Sequence, residues 1–468
     1  MNKSYSDIII AIATPPGVGA IGVIRLSGKG SIELVDKYFF GQNLQKVDGN
    51  TVHYGKIKND QNTIIDECLA TVFRSPKSYT KEDVIELSCH GSPYILKRVV
   101  ELFLNAGARM ANPGEYTLRA FLNGQFDLSQ AEGVADLIAS ENAASHELAM
   151  SQMRGGFSNE IKSLRQELID FAALIELELD FGEEDVEFAD RDDLKALIFK
   201  LQKTIKALTD SFMLGNVIKS GVATVIAGRP NAGKSTLLNA LINEERAIVS
   251  DIAGTTRDTI EEVLHIKGIA FRLIDTAGIR KAQDAIEKIG VEKTIEKISQ
   301  STLVIYVFDV TTMKPEDLWS DIDTFLNASK AITSGGKLLF VANKMDLNPY
   351  TKPESFYKDG LIDNENLITT SAVNKMNIEA LKDMVYNIII DNPEMLDQTI
   401  VTNARHVDAL GKSREALDAV LNGLNANVTG DFIAMDIRQA LHHLGGITGE
   451  IHTDDLLESI FSRFCIGK

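Results

Sequence analysis

Eight consecutive residues carry the most specific chemistry in the chain. Gly228-Arg229-Pro230-Asn231-Ala232-Gly233-Lys234-Ser235 follows the spacing G-x-x-x-x-G-K-S, in which a glycine-rich turn brings backbone N–H groups against phosphate oxygens. An apolar run at 222–227 precedes it and a helical stretch at 236–242 follows. A helix start adds free donors and a favourable dipole for an anion. Lys234 is expected to neutralise the β- and γ-phosphates, and the Ser235 hydroxyl to bind Mg²⁺. Asn231, Ala232, Gly233 and Thr236 complete the loop's contacts.

Three further motifs follow in order. Asp275-Thr276-Ala277-Gly278 comes after an apolar segment; an Asp at a strand end can hold the Mg²⁺ shell through water, and Gly278 lets a backbone N–H meet the γ-phosphate. Asn343-Lys344-Met345-Asp346 follows the apolar run 338–341. The Asp346 carboxylate can accept from guanine N1–H and the exocyclic amine. Adenine offers no such pair and would leave the carboxylate unpaired, which favours GTP over ATP. Ser371, Ala372 and Val373 would support the base through the backbone. Between the first two motifs, Gly254-Thr255-Thr256-Arg257-Asp258 reads as a switch that closes on Mg²⁺ when the γ-phosphate is present, Thr256 being the ligand; a Thr-rich solvated turn is the alternative. Each tetrapeptide alone is weak; four in this order specify a protein that binds and hydrolyses GTP.

The residue after Gly278 is Ile279, where Ras-type GTPases carry a water-orienting Gln. An apolar side chain cannot orient water, so another group must. The Asn231 amide oxygen could hold a monovalent cation beside the phosphates. Glu287 could orient water directly or through a second water; taken alone, it also fits a solvated helix charge. Arg280 is a weaker candidate for an arginine finger.

These residues need elements to hold them. The chain has 468 residues, 44% apolar and 24% charged, a soluble globular composition with length for about three domains. No stretch reaches the ~20 apolar residues of a bilayer span; the run 303–308 is strand-sized. The apolar run 8–12 soon meets Pro15-Pro16 and lacks the features of a secretory signal. Three cysteines, Cys68, Cys89 and Cys465, give no disulfide framework, so a cytoplasmic location is expected. His442 and His443 would splay apart on a helix and read as surface residues. The net charge of −18 argues against a dedicated nucleic-acid binder, so any RNA contact is local or shared with a partner.

Residues 1–120 read as mixed α/β, with strands expected at 8–13, 21–26, 64–73 and 84–88. Residues 121–220 show helical spacing, as in Leu164, Leu168, Phe171, Ile175 and Leu179, with an acidic interruption at 182–193. Residues 221–391 alternate strand, glycine-rich turn and helix, the pattern of a doubly wound domain. Residues 392–468 are helical again. The expected fold is therefore an N-terminal α/β domain and an all-α domain into which a P-loop GTPase domain is inserted, the two helical pieces packing together.

At this point the chain resembles the MnmE (TrmE) family of tRNA modification GTPases over essentially its whole length. The phosphate loop, D-I-A-G-T-T-R-D at 251–258, I-E-K-I-G at 286–290, A-T-P-P-G at 13–17, P-G-E-Y-T-L-R-A-F-L-N-G at 113–124 and the terminal F-C-I-G-K carry the likeness. It implies a homodimer joined through the N-terminal domains and K⁺-stimulated hydrolysis driven by pairing of the GTPase domains. K⁺ would be held by Asn231 with Ser250, Ile252 and Thr255, and Glu287 would be the catalytic residue. A K⁺ there supplies the positive charge of an arginine finger. The resemblance also implies a 5-formyl- or methylene-tetrahydrofolate bound by Arg25, Glu86, Gln125 and Lys468, with Cys465 close by. Gln125 departs from a Lys found in some members. With an FAD-dependent partner of the MnmG type and tRNA, the family adds a carboxymethylaminomethyl or aminomethyl group at C5 of the wobble uridine. The alternative is a regulatory or ribosome-assembly GTPase without modifying activity.

Overall fold

A computed structural model describes residues 7–180, 191–243, 262–274, 301–328, 336–390, 399–426 and 428–467. The chain divides into two units: Met1–Ile138, Ala149–Ile205 and Asp408–Lys468 form one, Ala139–Leu148 and Lys206–Val407 the other.

In the first unit, buried and more exposed positions alternate along the longer strands, as they do when one face of a sheet packs on a core. The strands are β1 (Ile9–Ile12), β2 (Ile21–Ser27), β3 (Phe39–Gly41), β4 (Thr51–Lys58), β5 (Ile64–Phe73), β6 (Val84–His90) and β7 (Arg109–Met110). They order as β3-β4-β5-β6-β2-β1-β7, antiparallel except where β1 meets β7. Ile24, Leu26, Cys68, Ala70, Val72, Ile85 and Leu87 pack with Leu96, Val99 and Phe103 of the helix Pro93–Asn105. On the opposite face, Ile9 and Ala11 pack against Tyr116 of the helix Glu115–Leu122. The strands expected at 8–13, 21–26, 64–73 and 84–88 are β1, β2, β5 and β6. β3, β4 and the two-residue β7 were not anticipated.

The helical part of this unit includes Gly156–Asp180 and Gly430–Thr448, which pack together. Leu164, Leu168 and Ile175 are buried as their spacing predicts. The acidic interruption largely coincides with 181–190, outside the described residues. Glu176 pairs with Arg438 at 2.5 Å, and Arg165 with Glu450. The helical segments before and after the second unit's main segment thus join, as expected. His442 and His443 do not splay: their rings stand 5.6 Å apart, edge to face, and burial followed by the His442 charge lowers the His443 pKa.

The second unit is doubly wound. Its strands are β8 (Val222–Ala227), β9 (Glu262–Ile266), β10 (Ile269–Leu273), β11 (Leu303–Asp309), β12 (Lys337–Asn343) and β13 (Leu367–Thr369). They order as β13-β12-β11-β8-β10-β9, parallel except for β9 against β10. Central parallel strands are covered on both faces and read as unbroken apolar runs; six of the seven β11 residues are buried. The helices Lys234–Asn243 and Ile378–Ile389 share one core, and Leu318 and Ile322 of the helix Pro315–Ala328 lie in another. The loops leaving the carboxyl ends of β8, β11, β12 and β13 carry the polar motifs, where open α/β sheets place their ligands.

Candidate functional site

The loop after β8 turns on two glycines that no other residue could replace. A Cβ at Gly228, with φ 139°, would collide with the carbonyl oxygen of Val307; one at Gly233, with φ 93°, would collide with the Asn343 amide. Asn231 lies between them with φ 61°, a left-handed conformation that Asn tolerates better than most residues. The helix Lys234–Asn243 starts directly after the turn, so its first backbone N–H groups lack partners within the helix. The Lys234 ammonium donates to the carbonyls of Gly228 and Arg229, both at 2.8 Å. Burial pushes its pKa below the ordinary lysine value. Ser235 and Thr236 occupy the first turn of that helix.

Asn343, 2% exposed, joins three motifs. Its amide nitrogen donates to Ala232 O at 3.0 Å, and its amide oxygen accepts from Ala372 N at 3.1 Å and Thr370 Oγ1 at 3.3 Å. Asn343 therefore acts on the protein itself, fixing the phosphate loop to the loop after β13. Lys344 adopts φ 68°, and its ammonium donates to Asp309 Oδ2 at 2.7 Å. Asp309 also accepts from Thr311 N at 2.9 Å and Thr311 Oγ1 at 2.6 Å. Burial alone would raise the Asp309 pKa, but the bonds from Lys344 and Thr311 prevail and lower it. Asp346 Oδ1 accepts from Ser371 Oγ at 2.7 Å, which sets the carboxylate's orientation at the surface. Val373 beside it is exposed.

Asp309 and Thr311 were missed in the sequence. The available signal was an Asp ending the apolar run of β11, in register with Asn343. Ser250, Asp251, Ile252, Ala253, Gly254, Thr255, Thr256, Asp275, Thr276, Ala277, Gly278 and Glu287 lie outside the described residues.

A second polar cluster sits on the first unit's sheet. Arg25 and Glu86 are direct neighbours in the β2–β6 register, and Arg25 Nε donates to Glu86 Oε1 at 2.8 Å. The Arg25 guanidinium lies 5.8 Å and 5.6 Å from the ring centres of Tyr79 and Tyr116, within cation–π range. Tyr116 donates to Arg25 O at 2.6 Å. The C-terminal tail reaches the same place, since Gly467 O accepts from Arg25 Nη1 at 3.3 Å and Cys465 O from Gly114 N at 3.3 Å. Cys465 itself is exposed. Gln125 is exposed too, next to Phe126, whose ring is 5.7 Å from Tyr79. Lys468 lies outside the described residues. Tyr79 and Tyr116 were not singled out from sequence, although Tyr116 falls inside the motif at 113–124.

Comparison with known proteins covers nearly the entire chain. Residues 128–465 match the family described as MnmE helical domain, and residues 8–125 match GTP-binding protein TrmE N-terminus. Proteins named tRNA modification GTPase MnmE are similar at full length. The one from Cytophaga hutchinsonii is 54% identical over 99% of this chain and 98% of its own. That of Christiangramia forsetii is 51% identical over 99% of each chain. That of Bacteroides fragilis is 46% identical, again over 99% of each. Among the described residues, no helix is long and apolar enough to cross a membrane.

Proposed function

Since the chain belongs to the MnmE family of tRNA modification GTPases, we propose that it hydrolyses GTP as a K⁺-stimulated homodimer and, with an FAD-dependent partner of the MnmG type, modifies C5 of the wobble uridine in tRNA. The observation that carries the GTPase part is Asn343, whose amide ties the phosphate loop to the base-binding loops. The proposed division is an N-terminal folate-binding and dimerisation domain at 1–120, a helical domain at 121–220 and 392–468, and the GTPase domain at 221–391. A cytoplasmic location accords with its substrate, tRNA.

In this reading Lys234 meets the β- and γ-phosphates, and Asp346 accepts from guanine. Ser235 and Thr256 hold Mg²⁺, which offsets the negative charge of the phosphates. The Asn231 amide stands on the phosphate loop, where a K⁺ ligand is needed; Ser250, Ile252 and Thr255 would complete the set. K⁺ would supply positive charge to the γ-phosphate as the bond breaks. Glu287 would orient the attacking water.

The first unit's polar cluster fits a reduced folate. Glu86 offers carboxylate lone pairs to an aminopyrimidine edge, Arg25 offers a planar set of donors, and Tyr79 and Tyr116 provide flat apolar faces. Exposed Gln125 lies nearby, exposed Cys465 is on the tail that reaches this cluster, and Lys468, outside the described residues, would complete the set. The folate would supply the one-carbon unit. Hydrolysis of GTP would then drive rearrangement of the complex rather than the carbon chemistry.

Hydrolysis measured in K⁺ and in Na⁺, together with wobble-uridine analysis of tRNA from cells lacking the protein, tests both halves. We expect at least tenfold faster turnover in K⁺ and loss of the C5 modification. Equal rates in the two salts would overturn the cation assignment. Fully modified tRNA in the deletion strain would favour a regulatory or ribosome-assembly GTPase.

A further inference from the structure

Arg229 is part of the phosphate loop, and its side chain is committed to a neighbouring helix. Nε and Nη2 donate to Asp321 Oδ2 and Oδ1 at 2.7 and 2.8 Å, a bidentate arrangement with well-defined geometry. Asp321 belongs to the helix Pro315–Ala328. Tyr306 of β11 donates to the same Oδ2 at 2.6 Å. One carboxylate thus gathers three donor bonds from the phosphate loop and the neighbouring strand.

The main chain of Arg229 has a second task. Its carbonyl and that of Gly228 are the two acceptors of the Lys234 ammonium. Fixing the Arg229 side chain therefore fixes the carbonyl that holds Lys234. Arg229 is 47% exposed and Asp321 22%. An ion pair so close to water contributes only about 0–1 kcal/mol to stability, too little for a fold-holding role. Its geometry acts instead on the rigid turn between Gly228 and Gly233.

We infer that Asp321 is a positioning residue for the phosphate loop: through Arg229 it sets the loop carbonyls that place the Lys234 ammonium, and so governs affinity for nucleotides with β- and γ-phosphates. The inference rests on the assignment of 228–235 as the phosphate loop. It differs from the motif roles above because Asp321 and Tyr306 lie outside every motif, Asp321 bonding to Arg229 and to Tyr306.

Equilibrium binding of GMP, GDP and GTP to the full-length protein and its Asp321→Asn variant tests it. Asparagine keeps the shape but replaces one acceptor with a donor that faces the guanidinium. We expect GDP and GTP affinity to fall about threefold, roughly 0.7 kcal/mol, and GMP affinity to stay within about 1.5-fold of the parent. The loss should appear in the KM for GTP more than in kcat. Equal weakening of all three nucleotides, or no weakening of any, overturns the inference. Lys234→Ala serves as the separate check on the loop: if GDP still binds it as tightly as the parent, the loop assignment fails rather than the role of Asp321.

Discussion

Asn231 shows how one residue can satisfy two requirements. Its φ of 61° places it where most side chains are strained and where Gly or Asn is favoured. Backbone geometry alone could therefore explain its presence, without any cation. The two explanations predict different behaviour. Asn231→Gly keeps the turn and removes the amide; Asn231→Ala removes the amide and adds strain of about 1 kcal/mol. If the amide holds K⁺, both variants should lose most of the K⁺ stimulation, at least fivefold, and the glycine form should retain parental thermal stability. Steady-state hydrolysis titrated with KCl at constant ionic strength measures this. A glycine variant with full K⁺ response would leave the backbone explanation alone standing. The same logic applies to Asn343. Its motif suggests contact with the base, whereas its amide is spent on Ala232 and Ala372, so its substitution should loosen the loops themselves.

Among the elements, the helix Glu115–Leu122 is fixed to the N-terminal sheet by buried charge. Glu115 and Arg119 are each 1% exposed and pair at 3.0 Å. Arg109 adds bonds of 2.6 and 3.0 Å to Glu115, and Asn112 N one of 2.9 Å. Burial raises the Glu115 pKa, but the bonds from Arg109, Asn112 and Arg119 together lower it. Arg109, followed by Arg119, lowers the Asp7 pKa against the effect of burial. Groups with lowered folded pKa values stabilise fully above their unfolded values, near 4, and lose that stabilisation as pH falls through the folded values. Melting temperature should therefore drop steeply below about pH 4. Glu115→Gln should flatten that acid limb while costing about 1–3 kcal/mol at neutral pH, because Arg109 and Arg119 lose one charged acceptor and keep Asp7. Thermal melts across pH check both; a parallel acid limb in the variant would place the linkage elsewhere. These elements differed in how legible they were. β5 was readable because it is rich in Ile, Val, Thr and Phe and β8 because its run is largely apolar, and the phosphate loop followed from fixed glycine spacing. β4 was not, since Gly55 sits mid-strand and one face is solvated with Lys56, so tertiary pairing had to override weak local preference. Asp309, Asp321 and Tyr306 escaped for a related reason: their roles arise from partners 35, 92 and 15 positions away along the chain, which no local pattern encodes.

For the molecule as a whole, a net charge of −18 works against self-association, so a homodimer needs a surface that outweighs the repulsion. The N-terminal sheet offers one. Tyr54, Leu69, Ser88 and Val23 form one row across β4, β5, β6 and β2, on the face opposite the Leu96–Phe103 core. Val52, Tyr54, Leu69 and Ile21 are 56%, 61%, 43% and 65% exposed. Apolar side chains so grouped on a sheet face mark an interaction surface, and a two-fold axis through such a face pairs it with its own copy. The Lys56–Glu67 pair at 2.8 Å, to which Tyr54 also bonds, already neutralises the charge beside the row, so burying it leaves no excess charge of one sign. Leu69→Arg places a cation at the centre of the row and, by the symmetry, opposite its own copy. We expect sedimentation velocity to show a shift from dimer to monomer at micromolar concentration, a loss of at least a hundredfold in association, about 2.7 kcal/mol. Higher ionic strength should tighten the parental dimer by screening the overall repulsion. The far-UV spectrum should be unchanged, since Leu69 supports no core. A variant that still sediments as the parent does would mean that the copies meet elsewhere. If instead the dimer is lost and K⁺-stimulated hydrolysis survives undiminished, pairing of the GTPase domains does not depend on this face.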